Sequence, residues 1–123
     1  MKKILIVDDS PTMLMSIESV LKKAGYEISA ASSGEKAFEL LQGGLKIDLM
    51  ITDYHMGAMD GIALIRSSRK LPHVRFTPIL MVTTESQQEK RHEAKAAGAT
   101  GWLVKPVEGE ALIKVVRQVI PGT

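Results

Sequence analysis

Four short apolar runs constrain this chain more than anything else in it, because each ends abruptly in polar residues. Ile4-Leu5-Ile6-Val7 runs into Asp8-Asp9, Leu49-Met50-Ile51-Thr52 into Asp53, Ile79-Leu80-Met81-Val82 into Thr83-Thr84, and Trp102-Leu103-Val104 into Lys105. A strand that is apolar at consecutive positions buries both of its faces. A sheet of such strands is parallel and needs helices on both sides. The segments between the runs supply those helices.

Ser10 and Pro11 read as a helix start, with Met13, Ile17, Val20 and Leu21 on one stripe and Gly25 as the stop. Tyr26 to Ala31 is a second, weaker strand. Ser32 and Glu35 fit a capping box that opens a helix through Ala37, Phe38, Leu40 and Leu41, ended by Gly43-Gly44. Gly61 to Ser68 predicts a short helix carrying Ile62, Leu64 and Ile65. Pro72 and Pro78 bracket a loop. Gln87 to Ala97 predicts a polar, Ala-rich helix closed by Gly98, and Ala111 to Ile120 a last helix with Leu112, Val115, Val116 and Val119 in register. Five β–α units without repeat, linker or low-complexity tract predict a doubly wound α/β fold: a five-stranded parallel sheet with five helices. In such folds the ligand site lies beyond the carboxyl ends of the strands, near the switch point in strand order.

Bulk properties remove several classes of function. With 123 residues, the chain is expected to be one domain, residues 1–123, with a single well-buried core. Its 45% hydrophobic and 24% charged residues are those of an ordinary globular protein, and a formal net charge of +2 does not ask for nucleic acid as an obligatory partner. The lack of cysteine excludes disulfides and thiolate metal sites and fits a reducing cytoplasmic setting. Lys2-Lys3 before an apolar stretch resembles a leader, but Ile4 to Val7 is too short for a signal core or a membrane span. No membrane insertion is expected.

If the sheet is parallel, Asp8, Asp9, Asp53, Thr83 and Lys105 meet at one edge. Three gathered carboxylates repel one another unless a cation or a proton relieves them. Oxygen donors without cysteine or clustered histidine favour a hard ion, Mg²⁺ foremost. An aspartate nucleophile, a divalent ion, a lysine and a hydroxyl are the parts of phosphoryl transfer, which depends on positioning and charge neutralisation. Taken singly, each residue has a plainer role. Asp8-Asp9 would cap the first helix, Asp53 end a strand, Thr83 fill one, and Lys105 sit in solvent.

Taken together, Ile4-Leu5-Ile6-Val7-Asp8-Asp9-Ser10, Ile51-Thr52-Asp53 with Met59-Asp60-Gly61, Met81-Val82-Thr83-Thr84 and Lys105-Pro106 resemble the receiver domain of two-component response regulators over essentially the whole chain. Thr83-Thr84-Glu85 and Trp102 to Pro106 resemble the single-domain, CheY-like chemotaxis kind. The resemblance implies a flavodoxin-like strand order 2-1-3-4-5. It implies Asp53 as phosphoacceptor, and Mg²⁺ held by Asp9, Asp53 and the backbone carbonyl of His55, with Asp8 acting through water. It implies contacts from Lys105 and Thr83 to the phosphoryl group, and a cis bond before Pro106. Trp102 occupies the position of the aromatic that turns inward on activation.

The resemblance also implies a histidine kinase, of the CheA type, as phosphodonor. The face of the fourth helix, fifth strand and fifth helix would then be read by the flagellar motor switch or another downstream protein, with a phosphatase resetting the monomer. A phosphorelay or kinase-regulating role is the alternative. After the fifth helix come only Pro121-Gly122-Thr123, so no output domain and no catalysis on an external substrate are expected. Two other classes fit less well. A flavodoxin-like FMN binder would put a hydroxyl-rich phosphate loop where Asp8-Asp9 stand. A haloacid-dehalogenase-type phosphatase would place its second aspartate two residues after the first. Two positions depart from the receiver pattern: Gly57 stands where most receivers have proline, which is expected to loosen that turn, and Trp102 is bulkier than the usual tyrosine. Nothing is assigned to His73 and His92, which are expected to face solvent, and Lys90, Arg91 and Lys95 are expected on an exposed face of the fourth helix.

Overall fold

A computed structural model describes residues 1–121; Gly122 and Thr123, the end of the tail that follows the last helix, lie outside the described residues. Strands β1 (Lys3–Val7), β2 (Glu27–Ala31), β3 (Leu49–Thr52), β4 (Ile79–Thr83) and β5 (Gly101–Val104) alternate with helices α1 (Pro11–Lys23), α2 (Gly34–Gln42), α3 (Gly61–Arg69), α4 (Gln88–Ala97) and α5 (Gly109–Val119). All strand pairings are parallel, in the order β2-β1-β3-β4-β5. This is the expected doubly wound arrangement.

The unbroken apolar runs divide between two cores by alternation. Leu5, Val7, Met50, Ile79 and Met81 face the side covered by α2, α3 and α4, where they meet Ala37, Leu41, Leu64, Ile65 and Ala94. Ile4, Ile6, Leu49, Ile51, Leu80 and Val82 face the other side, against Ile17 and Leu21 of α1 and Leu112 and Val116 of α5. Consecutive side chains of a strand point to opposite faces, so two helical layers require an uninterrupted apolar run.

Local signals hold with small shifts. Ser10 caps α1, its Oγ accepting from Met13 N at 3.3 Å, with Pro11 in the first turn. The capping box expected at Ser32 and Glu35 does not form. Ser33 caps α2 instead, accepting from Lys36 N at 3.1 Å, and the Ser32 hydroxyl accepts from Lys36 Nζ. Two adjacent serines offered the same chemistry, and only the geometry chose between them. The Pro72–Pro78 loop contains a single 3-10 turn, Pro72–Val74. Helix α5 begins at Gly109, before its apolar stripe. A Cβ on Gly109 would stand 3.3 Å from the Val20 side chain, so α5 enters close against α1. Among the described residues, no helix is long and apolar enough to cross a membrane.

Candidate functional site

The ladder sets the register of the site. Val7 pairs with Thr52, Thr52 with Met81, and Thr83 with Val104, so the residues that follow emerge at one edge. The turns after the strands are anchored in the sheet: Asp8 N donates to Ala31 O at 3.2 Å, Asp53 N to Val7 O at 3.0 Å and Lys105 N to Thr83 O at 2.7 Å.

Lys105 Nζ stands between two carboxylates, 2.8 Å from Asp8 Oδ2 and 3.0 Å from Asp53 Oδ2. All three side chains are largely buried, yet Asp53 keeps 11% of its side-chain exposure, enough to be reached from outside. Burial opposes the charge on Lys105, but its hydrogen bonds to Asp8 and then Asp53 outweigh it, and the ammonium pKa is raised above the ordinary lysine value. Asp8 Oδ1 accepts from Ser10 N at 2.9 Å, and Asp53 Oδ1 accepts from Tyr54 N at 2.6 Å. Each buried carboxylate is therefore held by a backbone amide on one oxygen and the ammonium on the other.

Asp9 completes the set from an exposed position. One oxygen from each of Asp8, Asp9 and Asp53 lies within 4.8 Å of the others. Three carboxylate oxygens with no sulfur and no imidazole match the donor preference of Mg²⁺ or a similar hard cation. The residues present fit such an ion.

The switch candidates are joined through Glu85. Thr83 is fully buried at the end of β4, where its Oγ1 accepts from Glu85 N at 3.2 Å. Trp102 lies half-buried on β5, and its indole Nε1–H donates to the Glu85 carbonyl at 3.1 Å. Glu85 Oε1 is 3.4 Å from His55 Nε2, and Oε2 accepts from Gln87 N at 3.1 Å. His55 itself is exposed, in the loop after Asp53. The Lys105–Pro106 peptide is cis.

The response regulator receiver domain model matches residues 4–117. The chain belongs to the response regulator receiver family. The receiver is 36% identical to the chemotaxis protein CheY of Pseudomonas aeruginosa over 118 residues, covering 95% of this chain and 94% of that protein. It is 33% identical to protein PilH of the same organism over 122 residues, covering 99% of this chain and all of PilH. Among solved structures, the Vibrio cholerae chemotaxis protein CheY4 superposes with a TM-score of 0.92 at 42% identity, covering 97% of this chain and 98% of that one.

Gly57 behaves otherwise than as a loosened proline turn. In this receiver its φ is +74°, a left-handed conformation, and a Cβ there would meet nothing within 4 Å. Proline is locked near a φ of about −65°. The loop thus takes a path that proline cannot follow.

Two contacts of the receiver's site had no signal in the sequence. Lys90 of α4 places its ammonium 5.5 Å from the centre of the Tyr54 ring, and the Tyr54 and His55 rings meet edge to face at 4.7 Å. Lys90 is half-buried, with 32% of its side chain exposed, and its pKa is raised chiefly by the Tyr54 hydroxyl, then by Glu93. No spacing rule links position 54 to position 90; only the packing of α4 over the β3–α3 loop does. The 85-to-102 bond is of the same kind. His92 is exposed, as expected, whereas His73, also exposed, has a partner: its Nε2 lies 2.8 Å from the Leu41 carbonyl at the end of α2.

Proposed function

We propose that this receiver is a phosphoacceptor switch that takes a phosphoryl group on Asp53 from a histidine kinase. The observation that carries the proposal is the position of Lys105, bonded at once to Asp53 and Asp8 beside Asp9. In the transfer, an Asp53 carboxylate oxygen attacks phosphorus, the P–N bond of a phosphohistidine breaks, and the imidazole leaves with the electron pair. Lys105 faces the oxygens that gain charge, and Tyr54 N–H holds the other carboxylate oxygen in place. Asp9, Asp53 and the His55 carbonyl would hold Mg²⁺, with Asp8 acting through water, and the ion would neutralise charge on the phosphoryl group. Residues 1–123 act as one receiver domain, without catalysis on an external substrate.

Phosphorylated Asp53 carries added charge and acceptor oxygens that attract the Thr83 hydroxyl. Glu85 and Trp102 transmit that shift to the α4–β5–α5 face, where a downstream protein docks. The likeness to CheY proteins favours chemotaxis, with a CheA-type kinase upstream, the flagellar motor switch downstream and a monomer working in the cytoplasm. A second reading, a receiver in another relay, is favoured by the likeness to PilH over the full length of both chains.

Acetyl phosphate with Mg²⁺ tests the chemistry. Intact mass should rise by one phosphoryl group. The gain should vanish with EDTA present and in Asp53→Asn. Labelling of any other residue, or labelling that ignores the metal, would overturn the mechanism. Pull-downs with and without beryllofluoride then separate a motor-switch partner from a relay partner.

A further inference from the structure

The face opposite α4 carries a feature that the phosphoacceptor reading does not use. Helices α1 and α5 pack side by side over the sheet, and a groove of about 720 Å³ runs between their exposed flanks. Its floor is apolar: Val20 from α1, Ala24 at the cap just past its end, and Ile113 from α5, all half-buried. Its rim is cationic: Lys23 on α1, with Lys114 and Arg117 on α5, all exposed. Among the described residues none of the three has an ion-pair partner, whereas the neighbouring Lys22 is paired with Glu18 at 2.6 Å. Glu110 is the one carboxylate on the rim.

We propose that this groove docks an acidic amphipathic helix of a partner protein. The choice of occupant follows from the shape and the charge. Val20 and Ala24 are one helical turn apart, as are Ile113 and Arg117, so two parallel ridges leave a trough suited to a third helix. Apolar side chains of that helix cover Val20, Ala24 and Ile113. Its carboxylates meet Lys23, Lys114 and Arg117, which have no ion-pair partner among the described residues. Three cations against one carboxylate on a concave apolar floor are few for a nucleic-acid backbone, which is held by a longer row of phosphate contacts. Lys23 lies twelve residues along α1 from Pro11, about 18 Å away along the helix axis from the phosphoacceptor edge. Docking there therefore leaves Asp53 open to its donor and leaves α4 and β5 free, sharing only α5 with the output face.

The test uses the full chain, isotopically labelled for NMR, and a synthetic helical peptide of about twelve residues with Glu on one face and Leu and Ala on the other. Amide shifts should change at Val20, Ala24, Ile113 and Arg117 and stay fixed around Trp102 and Asp53. The double charge reversal Lys114→Glu/Arg117→Glu, at two exposed positions, should weaken binding about tenfold or more, and raising NaCl from about 50 to about 300 mM should weaken it further. Asp53→Asn should bind the peptide as the wild type does, so the result is independent of whether Asp53 accepts phosphate. The inference fails if the peptide does not bind, if shifts map to the α4–β5 side, or if charge reversal has no effect. It fails equally if a twin peptide with Lys in place of Glu, or a DNA duplex, fills the groove in its stead.

Discussion

Lys105 lies 3.0 Å from Asp53, and the same ammonium reaches Asp8 at 2.8 Å on the far side. One lysine thus partly neutralises the carboxylate pair that a divalent cation would also use. The two positive charges would draw on the same carboxylates, Asp8 and Asp53. Lys105→Met should therefore bind Mg²⁺ more tightly than the wild type, by about tenfold, while losing most of its acceptance of phosphate from acetyl phosphate. Calorimetric Mg²⁺ titration and the rate of mass gain read the two effects separately. Weaker Mg²⁺ binding in the variant would show that Lys105 does not oppose the metal.

The same ammonium sets an alkaline limit on stability. Its pKa in the folded protein is raised above the unfolded lysine value of about 10.4. A raised pKa stabilises the fold fully below the unfolded value, and that contribution disappears as pH climbs through the folded one. Urea unfolding should give a constant difference between wild type and Lys105→Met from about pH 6 to about pH 9, shrinking above about pH 10.4. A difference that instead grew in that alkaline range would contradict the ion-pair assignment.

Gly57 connects the acceptor to α3 through a left-handed turn. Gly57→Ala places a side chain in that conformation at a cost of about 1 kcal/mol, although space is open around it. Gly57→Pro cannot reach a φ of +74° at all, so restoring the residue that most receivers carry should destabilise this one more than alanine does. Denaturant midpoints of the two variants check the order. Equal midpoints would mean that the loop readily takes a second path.

Among the described residues, Arg69, at the end of α3, is paired with no carboxylate. Its guanidinium donates to the Gly98 carbonyl from Nε at 3.2 Å and Nη2 at 2.6 Å, and from Nη1 to Val74 O at 2.8 Å and Thr77 O at 2.5 Å. Burial pushes its pKa down from the ordinary arginine value, yet an arginine stays charged at neutral pH. Residue 98 closes α4 in a left-handed conformation, with φ +115°, which favours glycine, and a Cβ there would also lie 2.8 Å from Arg69 Nε. Arg69→Met leaves those carbonyls unpaired and should cost about 3 kcal/mol. Arg69→Lys, lacking the planar fork, should recover less than half of that. Thermal melts decide. A lysine variant as stable as wild type would show that a point charge suffices.

What was legible in the sequence depended on the range of the interaction. The central strands β1, β3 and β4 announced themselves because a doubly covered strand is apolar at nearly every position, whereas the edge strands β2 and β5 are only partly buried, and the acidic edge followed from where those runs stop. Caps were legible to within one residue, as Ser32 against Ser33 shows, because neighbouring hydroxyls offer equivalent chemistry. Contacts made by a side chain to a distant carbonyl left no mark. Arg69 to Gly98, Trp102 to Glu85 and His73 to Leu41 each require elements distant in sequence to pack side by side, and a carbonyl acceptor is present at every position in the chain. Gly57 was visible as a departure, but its handedness was not, since glycine reaches both signs of φ.

Of those long-range bonds, the one from Trp102 to Glu85 is also the best reporter of switching. Thr83 Oγ1 accepts from Glu85 N–H, and the carbonyl of the same Glu85 accepts from the Trp102 indole. If the Thr83 hydroxyl is drawn toward a phosphoryl group on Asp53, the bond from Glu85 N–H lengthens, and the peptide that anchors Trp102 moves with it. Trp102 is the sole tryptophan, so the emission comes from this residue alone. Acetyl phosphate with Mg²⁺ should change the Trp102 emission intensity in wild type. Thr83→Ser, which keeps the hydroxyl, should retain most of the change. Thr83→Ala should accept phosphate, by mass, with little change in emission. A full emission change in Thr83→Ala would break the proposed link, and would mean that Trp102 senses the charge on Asp53 directly rather than through Glu85.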